Sequence, residues 1–303
     1  MAMWLKKVKL FALLCLFILI RIGGTAFASD YANPDAIVSV DELHSHIEKG
    51  EVKIIDVRGG MKYKLGHIPG AVNLDFGNFI DKSSPYPYMC PSKEQVEETL
   101  RALGLKNNDT LVIYGDTPNN AAARVWWILD RYGHKNIKLL NGDIAAWESA
   151  NFNKEMLSPK IEATTYIING VDNSKYASAE DVKASLDDPN VVILDVRSYE
   201  EYTGEKLLKG AKKAGRIPGA VWVEWTQALD EKGHFKSFNA LKELYESKGV
   251  TPDKTIIVYC QGGYRAAHTT FVLHRLLGYP NVKNYDGSWV EWTALDLPVE
   301  TGK

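Results

Sequence analysis

Ile54-Ile55-Asp56-Val57-Arg58 and Ile193-Leu194-Asp195-Val196-Arg197 are one pentapeptide written twice, with a single Ile-to-Leu exchange. The match continues in the same order along the chain. Gly66-His67-Ile68-Pro69-Gly70-Ala71-Val72 returns as Gly215-Arg216-Ile217-Pro218-Gly219-Ala220-Val221, and Thr110-Leu111-Val112-Ile113-Tyr114 as Thr255-Ile256-Ile257-Val258-Tyr259. Gly142 with Trp147 recurs as Gly287 with Trp292. Three blocks and a tail in one order make the chain a duplication, so the unit of folding is half of it.

Each half alternates short β-branched runs with helical stretches. The runs 53–57, 110–114, 191–196 and 255–259 are apolar on both faces, as a parallel strand buried between two helical layers must be. Ser39 with Glu42 and Ser178 with Asp181 have the spacing of helix N-caps, and so has Ser92 with Gln95, whose helix ends at Gly104. Alternating strand and helix predicts α/β architecture: two tandem domains, each a central, mostly parallel sheet flanked by helices. They are placed at 29–152 and 174–303, with a polar linker, 153–173, between them. A chain of 303 residues suits two domains of about 150 each. At 45% hydrophobic and 24% charged residues, both can bury a core.

Residues 1–28 are of another character. Lys6, Lys7 and Lys9 precede an unbroken apolar run from Leu10 to Ile20, and Ala26-Phe27-Ala28 offers small residues where a signal peptidase reads. The run is short for a membrane span, and Arg21 and Gly23-Gly24 interrupt it. The segment is therefore expected to be a cleaved signal, with the protein secreted or periplasmic and free of stable membrane association afterwards. An uncleaved anchor is the alternative. Without these 28 residues the chain holds 32 basic against 38 acidic residues, a net charge of −6. Such a balance disfavours nucleic acid as a partner.

Two cysteines remain, Cys90 and Cys260. In an oxidising compartment a pair invites a disulfide. Domains of this size need no such staple, and the surroundings of Cys260 suggest reactivity. The two copies differ at that point: the Thr-x-x-x-Tyr strand leads to Cys260 in the second and to Gly115 in the first. The second copy also has ten extra residues between its arginine and the next glycine block, with Lys206, Lys209, Lys212 and Lys213 among them.

Tyr259-Cys260-Gln261-Gly262-Gly263-Tyr264-Arg265-Ala266-Ala267 should join a strand to a helix running to about Leu277. In α/β sheets ligands bind at the carboxyl ends of strands, where such turns lie. Glycines let successive amides curl round one spot, and the helix adds its positive N-terminal end. Both features favour a thiolate at Cys260 and could hold a negatively charged persulfide or the anionic part of a substrate. An inert, buried strand-end cysteine is the plainer alternative.

These segments, together with Ala123-Arg124-Val125-Trp126-Trp127 and Asp286-Gly287-Ser288-Trp289-Val290-Glu291-Trp292, resemble tandem-domain rhodaneses of the thiosulfate sulfurtransferase type. The resemblance covers nearly all of the chain after the signal. It implies a nucleophile at Cys260, an inactive first domain that helps to form the cleft, and an anion-binding arginine at Arg197. It also implies that Gln261, Gly262, Gly263, Tyr264 and Arg265 line the pocket. Thiosulfate or a similar small anion would give its outer sulfur to Cys260, and cyanide or a thiol would accept it, the covalent persulfide serving in place of a cofactor. The loop departs from the mercaptopyruvate form and from the mitochondrial thiosulfate form. It looks closer to bacterial enzymes with an arginine as the last loop residue. Glu201 stands near where several relatives have a second substrate arginine.

Other features point elsewhere or nowhere. His44 and His46, and likewise His268 and His274, are wrongly spaced to share a helix face as a metal pair. Trp126, Trp127, Trp147, Trp289 and Trp292 are expected in domain cores. A non-catalytic sulfur carrier or docking module is the rival reading from another class. A cysteine phosphatase is a third, but its loop places five residues between cysteine and arginine, whereas four separate Cys260 from Arg265. The shorter ring should exclude phosphate.

Overall fold

The computed structural model of the chain describes residues 30–302, so the candidate export signal lies outside the described residues. Ten strands form two separate five-stranded sheets. The first contains β1 (Ile37–Val38), β2 (Lys53–Asp56), β3 (Val72–Asn73), β4 (Leu111–Tyr114) and β5 (Ile137–Leu140), in the order β1-β5-β4-β2-β3. The second contains β6 (Tyr176–Ala177), β7 (Val191–Asp195), β8 (Val221–Trp222), β9 (Thr255–Tyr259) and β10 (Val282–Tyr285), in the order β6-β10-β9-β7-β8. All ladders within both sheets are parallel. The four apolar runs of the sequence occupy the central strands, and β4 and most of β9 are buried along their length.

The predicted caps form. Ser39 and Ser178 each close a reciprocal capping box with Glu42 and Asp181, and the Ser92 hydroxyl accepts from the Gln95 amide. A cap of this kind contributes about 1 kcal/mol. The helix after Ser92 runs from Lys93 to Ala102 and unwinds just before Gly104, whose φ of +70° suits a glycine stop.

The repeat is clearest in one buried cluster. Where β2 and β7 end, Tyr114 and Tyr259 donate to Asp56 and Asp195, each at 2.6 Å, while the same phenol oxygens accept the amides of Ile68 and Ile217. The matched blocks of sequence are thus one structural device used twice. It ties the Ile-Pro-Gly turn to the two central strands.

The segment 153–173 differs from a free linker. Glu155 forms an antiparallel bridge with His67, Tyr166 and Ile168 are buried, and Asp172 donates its amide to the Arg131 carbonyl. It straps across the first domain because its alternate apolar residues find partners there. The second domain closes itself likewise, with Arg216 bridging Glu300.

The domains meet through two helices, Asn120–Arg131 and Tyr264–Phe271, and share one apolar cluster. Trp126 meets Phe271 edge-on at 4.9 Å between ring centroids. The second helix passes at Val272–Leu276 into a π-helical segment, a change of winding not visible in the sequence. All five tryptophans assigned to cores are buried.

Candidate active site

Cys260 follows the last residue of β9, and Gly263 takes φ +82° before the helix Tyr264–Phe271 begins. A Cβ on Gly263 would lie 2.9 Å from the Asp286 carbonyl oxygen and 2.9 Å from Arg124 Nη1. Only glycine suits both the turn and the close approach. The loop is held from behind by Ser288, whose hydroxyl accepts the amides of Cys260 and Gly263, each at 3.1 Å, and donates to the Tyr285 carbonyl at 2.7 Å. The Cys260 and Gln261 carbonyls accept from the Trp289 and Val290 amides. The amides of Gln261, Gly262, Tyr264, Arg265 and Ala266 donate to no acceptor among the described residues. They form an open set of donors on the loop and first helical turn that follow the cysteine.

The first domain roofs this loop. Tyr264 packs edge-on against Phe76 at 4.5 Å and Tyr88 at 5.1 Å, and Tyr88 lies over Gly262. Behind them Arg124 pairs with Asp286 at 2.5 Å, both 1% exposed, and donates to the Tyr88 carbonyl at 2.9 Å. Asp286 also accepts the Cys90 amide at 2.8 Å. Cys260 is itself 1% exposed. The thiol therefore sits at the base of a closed cup to which both domains contribute.

Arg197 departs from expectation. It is 1% exposed, forks onto Asp195 through Nε and Nη2, donates to the Gly215 carbonyl at 2.7 Å and stacks over Trp289 at 4.5 Å. Arg58 makes the same bonds to Asp56 and the Gly66 carbonyl in the copy without a cysteine. Arg197, expected as an anion binder, thus has its Nε and Nη2 engaged in clamping the strand end. Arg265 does stand beside Cys260, yet its Nη1 and Nη2 fork onto the Glu201 carboxylate at 2.7 and 2.9 Å. Gln261 reaches outward, donating to the Lys209 carbonyl at 3.3 Å, which brings the basic insertion to the rim of the loop. Lys213 pairs away from it, with Asp296 at 2.6 Å.

Cys90 and Cys260 are both free thiols. Burial, reinforced by the nearby Asp286 carboxylate, pushes the Cys90 thiol up to about 11. That holds it protonated near neutrality, so it is a poor nucleophile there. Among the described residues no group of three or more His, Cys, Asp or Glu side chains could hold a metal. Ser288, Asp286 and Arg124 were not singled out as site residues from the sequence, although all lie in segments that carried the resemblance.

The first domain has the same loop in degenerate form. Gly115 stands in place of Cys260, and its amide donates to Asp143 Oδ1 at 2.9 Å, as that of Cys260 does to Ser288. Asp143 and Ser288 share an unusual positive φ, +56° and +52°. Burial holds the Asp143 carboxyl well above its ordinary range. A second-domain turn covers this loop, with His234 against Gly142 and Gly233 against Thr117.

The Rhodanese-like domain matches twice, at residues 39–150 and 178–295. The chain belongs to the rhodanese-like family. It is 37% identical over 284 residues to the sulfur carrier protein TtuD of Thermus thermophilus, an alignment covering 90% of this chain and 99% of that one. It is 34% identical over 284 residues to a thiosulfate sulfurtransferase of Corynebacterium glutamicum, covering 90% and 93%. Among solved structures, YnjE superposes with a TM-score of 0.82 at 26% identity, over 90% of this chain and 70% of that one. Wild-type EanB superposes with a TM-score of 0.80 at 24% identity, over 89% and 70%, and shares the fold.

Proposed function

We propose that the chain is a sulfurtransferase that carries sulfane sulfur on Cys260, with thiosulfate or a similar small anion as donor and cyanide or a thiol as acceptor. The Cys260 thiolate attacks the outer sulfur of thiosulfate; the S–S bond breaks and sulfite leaves with the electron pair. A new S–S bond remains on the enzyme as a persulfide, and charge balances without a redox partner or cofactor. The acceptor then attacks the outer persulfide sulfur and restores the thiolate.

One observation carries the reading. Five amides of the loop and first helical turn, open among the described residues, follow the one cysteine that the duplication changed. They suit the anionic persulfide and the sulfonate end of the donor, whereas Nε and Nη2 of Arg197 are engaged by Asp195 and the Gly215 carbonyl. Export to the periplasm or beyond is part of the same proposal, on the basic-then-apolar start of the sequence. Steady-state assay with thiosulfate and cyanide should yield thiocyanate from the wild type and none from Cys260→Ser. A wild type that binds sulfur yet never releases it to cyanide or a thiol would favour the carrier reading.

A further inference from the structure

Arg265 is the guanidinium beside the Cys260 thiol, and it is already occupied. Glu201, its side chain 4% exposed, holds both terminal nitrogens in a fork, the geometry in which a carboxylate and an arginine neutralise one another best. Glu201 is fixed in turn: it sits in the helix Tyr199–Thr203 and closes a capping box with Ser198. Arg265 pulls the Glu201 carboxyl below its ordinary range against the opposing effect of burial, so it is anionic at neutral pH. Glu224 and Glu200 lie close to the same pair. Of the other nearby cations, Arg197 is itself paired with Asp195, and Lys206 and Lys209 are exposed on the rim, where salt screens them. In the first domain the residue matching Glu201 is Lys62, which pairs with Asp116 of the degenerate loop at 2.7 Å. The position thus reaches the loop in both copies, with its charge reversed in the catalytic one.

Resting on the sulfur-transfer function proposed above, we propose that Glu201 is a specificity-determining residue that, by occupying Arg265, disfavours doubly charged sulfur donors relative to singly charged ones. A donor such as a thiosulfonate has the same sulfane sulfur on a leaving group with one charge fewer. The thiolate attacks that sulfur, the S–S bond breaks, and a sulfinate departs with the electron pair, leaving the same persulfide. The step is unchanged and only the anion to be accommodated differs. Open amides are enough for one negative charge, whereas the second finds a guanidinium already neutralised.

The test compares kcat/KM for thiosulfate with kcat/KM for benzenethiosulfonate in each protein, because the ratio cancels any change in the nucleophile common to both donors. Glu201→Gln keeps the shape and frees the charge of Arg265. It should raise the thiosulfate-to-benzenethiosulfonate ratio on the order of tenfold, chiefly through a lower KM for thiosulfate. Adding Arg265→Gln to that variant should return the ratio to the wild-type value or below it. Glu201→Asp, which keeps the charge on a shorter arm, should move the ratio less than Glu201→Gln does. Persulfide loading by benzenethiosulfonate, read as intact mass, shows that each variant is folded. An unchanged ratio in a loaded Glu201→Gln enzyme overturns the proposal, as does an equal rise in Glu201→Asp or a rise that survives loss of Arg265. A wild type that takes sulfur from neither donor overturns the function itself, and the two failures are distinct.

Discussion

Cys90 and Cys260 differ in what surrounds the thiol. Cys260 precedes five amides that are open among the described residues and faces the N-terminal end of a helix. The Cys90 thiol is pushed up by burial and by Asp286, so it stays protonated at the pH where a thiolate is needed. Replacing Cys90 by Ser should leave most of the sulfur-transfer rate, and replacing Cys260 by Ser should leave none. Steady-state rates for both variants decide it, and a Cys90 variant as inactive as the Cys260 one would require a dithiol mechanism. The cysteine was legible because the repeat singles it out against Gly115. Arg197 reads as an anion binder by resemblance, yet the repeat marks a second, structural role for it. An arginine present as Arg58 in the copy without a nucleophile marks a clamp common to both folds, and only the paired contacts to Asp195 and Gly215 make that visible.

At the scale of elements, strands, caps and the strand-to-helix loop were readable because each is specified within a few neighbouring residues. What holds the loop was not. Ser288 lies far along the chain, and nothing local marks a serine whose single oxygen accepts two loop amides. Its role follows from β10 lying beside β9, which is a fact of topology. Ser288→Ala should leave the Cys260 and Gly263 amides buried without that acceptor and cost about 1–3 kcal/mol. It should also slow persulfide formation, since the loop loses its fixed curve. Denaturant unfolding together with single-turnover loading would show both effects. Full activity with unchanged stability would remove Ser288 from the account.

For the whole molecule, the first domain serves the second as roof and brace. Arg124 reaches across the junction to Asp286, and Tyr88 covers Gly262. Truncating Arg124 to Met strands a buried carboxylate, so stability should fall by about 3–5 kcal/mol. The double variant with Asp286→Asn should recover part of that, because the stranded charge goes too. Thermal or denaturant unfolding of the three variants measures it, and a single variant within about 0.5 kcal/mol of wild type would show that the pair does not brace the junction. The central claim, that Cys260 alone becomes the sulfur carrier, has a more direct test. Intact-protein mass should be measured after incubation with thiosulfate and removal of excess donor. The wild type and Cys90→Ser should each gain the mass of one sulfur atom, and lose it again on addition of cyanide. Cys260→Ser should gain nothing. Added sulfur on the Cys260→Ser protein, or none on the wild type, would contradict the account.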